Sequence, residues 1–504
     1  MTERTCRNGF LLLAVALSAV VYLPITQNYF YHDDFLYLYQ LNNNQFFQFL
    51  VRPHGGHVQP SRNLIFYLLH AAFGTESRGY FVAVLATHLA NVALLFQLIW
   101  LFTRNVRIAC YGAALWGTSP LNEGTLGWYS VFGQVMVATL LLGVLVQATR
   151  YAAQDRSPRW AKYVWYVAML AASTSFGVGT AVALVFPLLI FLLVPAQPTR
   201  HSLTLFFSSL VLVVPALYVA CYRLYSLTAG AATQTASSVL LYALPHWWYA
   251  LYVTTQLLSF GLSHTVLGFW STLDCTRPAT YALTATYAAG IFALLTRSTQ
   301  TTRRQVIACA VIALSSYGMI AIGRAALAES LGVTGADQLR YHYLASIPLV
   351  VALCLILNRV STAGFLRRVP GGLALLTWVG LTLFSFGRLA RPIDHHDEAR
   401  QETADVLQTV RTAIAQAARG GTVYIDNHGF QAVGLFAQPE FPGWAGVFVG
   451  FFPHNTVDGK RVYFVDQNER TVATFRMRPQ TRIASVLVSP SEVPRADATQ
   501  QTVN

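Results

Sequence analysis

Uncharged stretches of close to 20 residues recur along this chain, at 10–25, 79–102, 126–149, 201–222, 279–296, 305–323, 341–358 and 369–387. A helix needs about 20 apolar residues to cross a bilayer, and inside hydrocarbon a backbone satisfies its hydrogen bonds only as a helix or a closed barrel. The stretch 163–199 is also uncharged and long enough for two helices turning near 173–179, whereas 108–121 is shorter and ends at Pro120. With 54% hydrophobic and 11% charged residues, a soluble chain of this length would lack the polar surface to cover itself. The pattern predicts an all-α polytopic membrane bundle of about 11 transmembrane helices plus interfacial helices.

Short cytoplasmic loops retain Lys and Arg. When the spans alternate, Arg4, Arg7, Arg104, Arg107, Arg150, Arg156, Arg159, Lys162, Arg200, Arg297, Arg303, Arg304, Arg359, Arg367 and Arg368 all fall on one side. The other side receives Arg52, Arg62, Arg78, Arg223, Arg277, Arg324 and Arg340. This asymmetry predicts a multi-pass protein of the cell inner membrane with a cytoplasmic N-terminus and an extracytoplasmic C-terminal domain. The parity requires that 240–262 does not cross, and Pro245, His246, Trp247 and Trp248 suit an interfacial helix, because Trp prefers the headgroup level. Two short crossings there satisfy the same parity.

The net charge of +13 is dispersed through loops with no RNA- or DNA-binding motif near it, so no nucleic-acid partner is expected and charge sets topology. The six cysteines show neither a disulfide framework nor metal-ligand spacing. Residues 20–25 offer no small-residue cleavage pattern, which favours a retained first helix over a secretory signal.

The chain divides into a membrane domain, 1–387, an extracytoplasmic α+β domain, 388–488, and a disordered tail, 489–504. A charged amphipathic helix is expected over 394–420, followed by strand signals at 422–426, 447–452, 461–466, 471–477 and 482–488. A long loop, 27–62, follows the first helix and is broken by Asn42-Asn43-Asn44 and Pro53-His54-Gly55-Gly56. Long loops without their own core are often functional. Residues 46–51 read as a short amphipathic helix on the membrane surface.

Acidic residues are scarce before 387, and the topology places Asp33, Asp34, Glu76, Glu123, Asp274, Glu329 and Asp337 on the side opposite the N-terminus. Asp33 and Asp34 are adjacent, and two adjacent carboxylates repel unless a cation, a metal or a shared proton offsets the cost. The plainer alternative makes Asp34 an N-cap for 35–40. Glu123 is a lone acid in a short loop, equally suited to capping or to binding. His54, His57 and His88 offer general bases or ligands; for His88, in the middle of a predicted span, a hydrogen bond to another helix is the simpler role. Arg324 and Arg340 flank a single loop, and guanidinium is a planar fork of donors suited to phosphate oxygens. Anchoring to phospholipid headgroups is the competing explanation for both.

An ordered set of short motifs resembles the GT-C superfamily of polyprenyl-phosphate-sugar glycosyltransferases, which includes protein O-mannosyltransferases and lipid A aminoarabinose transferases. The set comprises Asp33-Asp34, Arg52-Pro53, Gln59-Pro60-Ser61-Arg62, Phe73-Gly74, Gly79-Tyr80, His88-Leu89-Ala90-Asn91, Pro120-Leu121-Asn122-Glu123, Gly127-Trp128-Tyr129 and Arg340-Tyr341. The resemblance implies a many-helix fold whose first loop carries the catalytic acid, Asp33 or Asp34. It also implies Glu123 as the second acidic position and Arg340 as a contact to the carrier phosphate. Arg340, Tyr341, Arg324, Glu123, His57, Arg62 and His88 are the candidate substrate-binding residues. Relatives carry an acid near the turn between helices five and six, where this chain has Ser173-Thr174-Ser175-Phe176-Gly177. No cofactor is certain, and a divalent metal, if used, would draw on Asp33 and Glu123. The expected partners are a polyprenyl-phosphate-linked sugar, a glycan, lipid or protein acceptor, and membrane lipids. The expected reaction is an inverting displacement; a transporter or flippase of lipid-linked sugars and a non-catalytic cell-envelope assembly protein are the alternatives.

Overall fold

The computed structural model describes residues 3–30, 33–43, 45–54, 57–154, 160–194, 198–229, 245–267, 278–332, 334–362, 422–426 and 461–465. The expected span at 369–387, the 394–420 helix, the strand signals at 447–452, 471–477 and 482–488 and the tail 489–504 lie outside the described residues.

The uncharged windows among the described residues fold as helices. They give α1 (Glu3–Tyr22), α5 (Ser77–Thr103), α6 (Val106–Gly117), α8 (Phe132–Gln154), α9 (Ala161–Ser173), α10 (Gly177–Leu193), α11 (Pro198–Ser208), α12 (Leu210–Ala229), α13 (Trp247–Leu267), α14 (Pro278–Arg297), α15 (Gln300–Leu331) and α16 (Tyr343–Thr362). The first loop adds α2 (Asp33–Asn43), α3 (Phe46–Val51), the two-residue strands β1 (Pro53–His54) and β2 (His57–Val58), and α4 (Pro60–Phe73); α7 (Glu123–Leu126) is a single turn. Among the described residues five stretches are long and apolar enough to cross a membrane: Arg4–Gln27, Ser77–Thr103, Tyr129–Tyr151, Arg200–Leu227 and Gln300–Ala326. Leu12, Val167, Leu212 and Leu227 remain exposed on the bundle, an arrangement that suits lipid and not water. The chain is a multi-pass membrane protein.

Two elements depart from expectation. The window 201–222 is two helices, because the chain breaks at Ser209, whose hydroxyl bonds back to the Phe206 carbonyl at 2.7 Å and also meets Tyr166 at 2.9 Å. Pro215, one and a half turns on, removes a further helical donor. The second departure is α13, expected to lie flat at the interface. It stands upright along α15 instead, with His246 paired to Glu329 at 3.0 Å near one end and Gly261 packed on the Tyr317 hydroxyl further down. Gln256 bonds Tyr281 at 3.3 Å and Ser259 meets Thr284 at 2.9 Å, so α13 and α14 run side by side in one direction. Both therefore begin at the same end of the bundle, and α13 adds no net crossing although it is not surface-bound. Its polar stripe is buried: Gln256 and Ser259 face α14, and Ser263 and His264 bond back within α13 to the Phe260 carbonyl.

Buried polar bonds staple the spans, as they do where lipid supplies no hydrophobic drive between helices. His88 in α5 reaches the Gly117 carbonyl of α6 through Nε2 at 3.0 Å and the Tyr343 hydroxyl of α16 through Nδ1 at 2.9 Å. A carbonyl only accepts, so Nε2 carries the proton and Nδ1 accepts from Tyr343. Asn91 donates to the Val135 carbonyl at 3.0 Å and to Tyr343 at 3.2 Å, which ties in α8. Both ring nitrogens of His88 are thereby engaged in joining helices. In the C-terminal part β3 (Thr422–Asp426) and β4 (Arg461–Val465) pair in parallel, at the positions of two of the expected strands.

Candidate functional site

One end of the bundle, here the mouth, gathers the end of α1, the start of α5, the segment between α6 and α8, the turn between α9 and α10 and the loop between α15 and α16. The first loop lies across it. Helix α2 opens with the acid pair in its first turn, where the helix dipole favours negative charge. Asp34 is fully buried, and its Oδ1 accepts from the Ser130 backbone N–H at 2.6 Å and from the Ser130 hydroxyl. The capping alternative is thus corrected: Asp34 lies inside the helix, and its carboxylate ties α2 to a segment 96 residues away in sequence. Asp33 beside it keeps partial access to the surface.

Arg62, from the first turn of α4, is 1% exposed. Its Nη1 donates to Gln59 Oε1 at 2.9 Å and Asn63 Oδ1 at 3.1 Å, and its guanidinium carbon lies 3.5 Å from the centre of the Tyr37 ring. Asn63 in turn donates to the Phe49 and Leu50 carbonyls, so α2, α3 and α4 are locked as one unit. The loop is docked on the α9–α10 turn: Ser61 N donates to the Thr174 carbonyl at 3.2 Å, and the Ser61 and Thr174 hydroxyls meet at 2.6 Å. His57 stacks on Phe176, and a Cβ at Gly177 would come within 2.7 Å of its imidazole, so that position needs glycine. The turn where the resemblance expects an acid is filled by hydroxyl and imidazole contacts.

The segment 119–134 is the hub of the mouth. Tyr22 of α1 donates to the Ser119 carbonyl at 2.5 Å, and Ser130 holds Asp34. Thr125 and Gln134 donate to the Arg340 carbonyl at 3.2 and 2.8 Å. Glycine is required at 124, where a Cβ would lie 2.7 Å from the Arg340 backbone nitrogen. Glu123, at the head of α7, is largely buried, and desolvation pushes its carboxyl up to about 7. On the facing loop the guanidinium of Arg340 lies 5.0 Å from the Trp128 ring centre and 5.2 Å from that of Tyr341, while Arg324 of α15 approaches the same Tyr341 ring at 5.3 Å. Two guanidiniums thus approach one ring. Among the described residues neither has a carboxylate partner.

A divalent metal needs several oxygen or nitrogen ligands from converging side chains. Among the described residues no three His, Cys, Asp or Glu side chains converge, and the α9–α10 turn offers only hydroxyls. The described residues therefore build no metal site of their own. Sequence reasoning missed Thr125, Ser130 and Gln134; each acts through a contact far away in sequence, and only Ser130, directly after the Gly127-Trp128-Tyr129 motif, carried any local signal.

The state of Glu123 gives a direct test. Between its ordinary value of 4.5 and about 7 the folded chain holds a proton that the unfolded chain has released, so stability falls as pH rises through that window. At about 1.4 kcal/mol per unit the loss is on the order of 2–3 kcal/mol. Glu123→Gln should match the parent near pH 5 and melt at a higher temperature near pH 8. Identical melting profiles of parent and variant across pH 5–8 would show that the carboxylate is not held in a desolvated place.

The chain matches no protein-family profile and no curated protein sequence. Solved structures similar to it include the following two. One is the Archaeoglobus fulgidus oligosaccharyltransferase tethered to an acceptor peptide containing the NVT sequon, at 13% identity and a TM-score of 0.46. The match covers 81% of this chain and 57% of that one, so the chain spans little more than half the length of the archaeal enzyme. The other is ArnT from Cupriavidus metallidurans bound to undecaprenyl phosphate, at 12% identity and a TM-score of 0.42, with 84% of each chain covered.

Proposed function

We propose that this protein is a membrane glycosyltransferase that moves a sugar from a polyprenyl-phosphate carrier to an acceptor hydroxyl at the mouth, on the outer face of the membrane. The observation that carries the reading is the pair of guanidiniums, Arg324 and Arg340, which approach one aromatic ring and have no carboxylate partner among the described residues, on a loop clamped to the segment that bears Glu123 and holds Asp34. Guanidiniums at the edge of an apolar bundle suit a lipid-borne phosphate, and acids held on or by the same 119–134 segment suit proton removal. The ordered motifs of the first 150 residues and of Arg340-Tyr341 support the same chemistry.

In the reaction an acceptor hydroxyl attacks the anomeric carbon, the bond from that carbon to the phosphate oxygen breaks with its electron pair passing to the phosphate, and the configuration inverts. The hydroxyl proton goes to a first-loop carboxylate. Asp34 already uses Oδ1 on Ser130, which makes it the positioning residue that fixes α2. Asp33, partly exposed in the same turn, is the base. Arg324 and Arg340 stabilise the charge that grows on the departing phosphate.

Sealed membrane vesicles of both orientations, given a radiolabelled polyprenyl-phosphate sugar, test this reading. Right-side-out vesicles should release polyprenyl phosphate and transfer label to acceptors added outside, and inside-out vesicles should not. Label that crosses the bilayer while still attached to its carrier would identify a flippase instead.

A further inference from the structure

The loop that carries Arg340 is anchored at a second, fully buried point. His342, which directly precedes α16, has no solvent exposure, and its Nε2 lies 2.7 Å from the Ala336 carbonyl while its Nδ1 lies 2.8 Å from the Tyr317 hydroxyl. The Ala336 carbonyl can only accept, so Nε2 must carry the proton. Nδ1 is then an acceptor, and Tyr317 must donate to it. Tyr317 is itself fully buried in α15, its ring edge-on to the imidazole at 5.4 Å, and the Phe260 ring of α13 stacks on the other face of His342 at 5.0 Å. Gly261 closes the arrangement, because any Cβ there would run into the Tyr317 hydroxyl.

Tyr317 and Arg324 are seven residues apart on α15, two helical turns, and so lie on one stripe of that helix. Tyr341, the ring both arginines approach, directly precedes His342. We propose that the hydrogen bond between Tyr317 and His342 sets the register of the Arg340 loop on α15, and with it the spacing of the Arg324 and Arg340 guanidiniums at the Tyr341 ring, making both residues positioning residues for the phosphate clamp. Apolar packing of Ala336 and Tyr341 with Ala321 and Ala328 brings the loop to α15, but at Arg340 itself the carbonyl bonds to Thr125 and Gln134 tie it to the α6–α8 segment and not to α15, so Tyr317–His342 is the directional bond to that helix. A planar donor fork is sensitive to such an offset, because two guanidiniums share one phosphate only at matched spacing. The inference rests on the proposed function in taking a lipid phosphate as what the two arginines hold.

The test is a double-mutant cycle on purified protein in lipid nanodiscs, reading the KM for a polyprenyl-phosphate sugar and kcat separately. Tyr317→Phe keeps the ring and deletes the donor; it should raise donor KM about five- to tenfold and leave kcat within about twofold. In an Arg324→Ala background, where no second guanidinium remains to be aligned, the same change should cost less than about twofold. An unchanged donor KM in Tyr317→Phe, or its full effect persisting in the Arg324→Ala background, would overturn the proposal. If Tyr317→Phe does not fold, His342→Gln is measured in the same cycle, since its amide N–H can still donate to the Ala336 carbonyl while the ring nitrogen that accepts from Tyr317 is gone. Hydrogen exchange of the 334–341 amides separates the two ideas. Faster exchange in Tyr317→Phe combined with an unchanged donor KM in Arg340→Ala would leave the register role standing and sink the phosphate clamp.

Discussion

Asp33→Asn is expected to lower kcat for transfer by about 10²–10⁴ per folded molecule, the range that a positioned general base supplies. Asn keeps the size and hydrogen-bonding capacity of the side chain and removes the basicity that would take the acceptor proton. Binding of a polyprenyl-phosphate sugar should persist, because the phosphate is assigned to Arg324 and Arg340. Asp34→Asn should behave differently. Its amide oxygen can still accept from the Ser130 N–H and hydroxyl, but these bonds lose their ionic character, at a cost of about 1 kcal/mol in stability. Activity per folded molecule should then stay within about tenfold of the parent. Radiolabel transfer normalised to folded protein decides between the two carboxylates: the larger kcat loss in Asp34→Asn would exchange their roles, and parental turnover in both would remove the glycosyltransferase reading.

That contrast was only half legible in the sequence. An adjacent acid pair in a scarce set marks a site, since each carboxylate must be offset by something. Which one is buried depends on Ser130, and no local pattern links residue 34 to residue 130. Where the governing rule is local, reading was close: hydrophobic spans follow from the thickness of a bilayer, α3 occupies 46–51 as expected, and β3 and β4 fall on alternating stretches. The upright stance of α13 escaped for the opposite reason. Its Trp cluster speaks for an interface, whereas its orientation is decided by Gln256 and Ser259, which become informative only once α14 supplies partners, and by His246, which meets Glu329 of α15. Arg324 and Arg340 were readable together because they bracket one short loop. Their meeting on the Tyr341 ring depends on a helix register that the spacing alone does not contain.

The largest effect on donor use is expected from the two arginines. A hydrogen bond to a charged group contributes about 1.5–3 kcal/mol, so Arg340→Ala should raise the KM for the polyprenyl-phosphate sugar by about 10- to 150-fold while the acceptor KM stays put. Lys at 340 should recover part of the loss, since it restores the charge without the planar fork. The fold should tolerate these changes, because Thr125 and Gln134 grip the Arg340 carbonyl and not its side chain. Arg324→Ala should act in the same direction, and the double variant should cost less than the sum of the two single changes, as expected when two cations share one phosphate group. Strict additivity would place the guanidiniums on separate partners. Parental donor kinetics in Arg340→Ala would reduce that residue to a headgroup anchor, with Trp128 and Tyr341 merely cushioning it at the membrane surface.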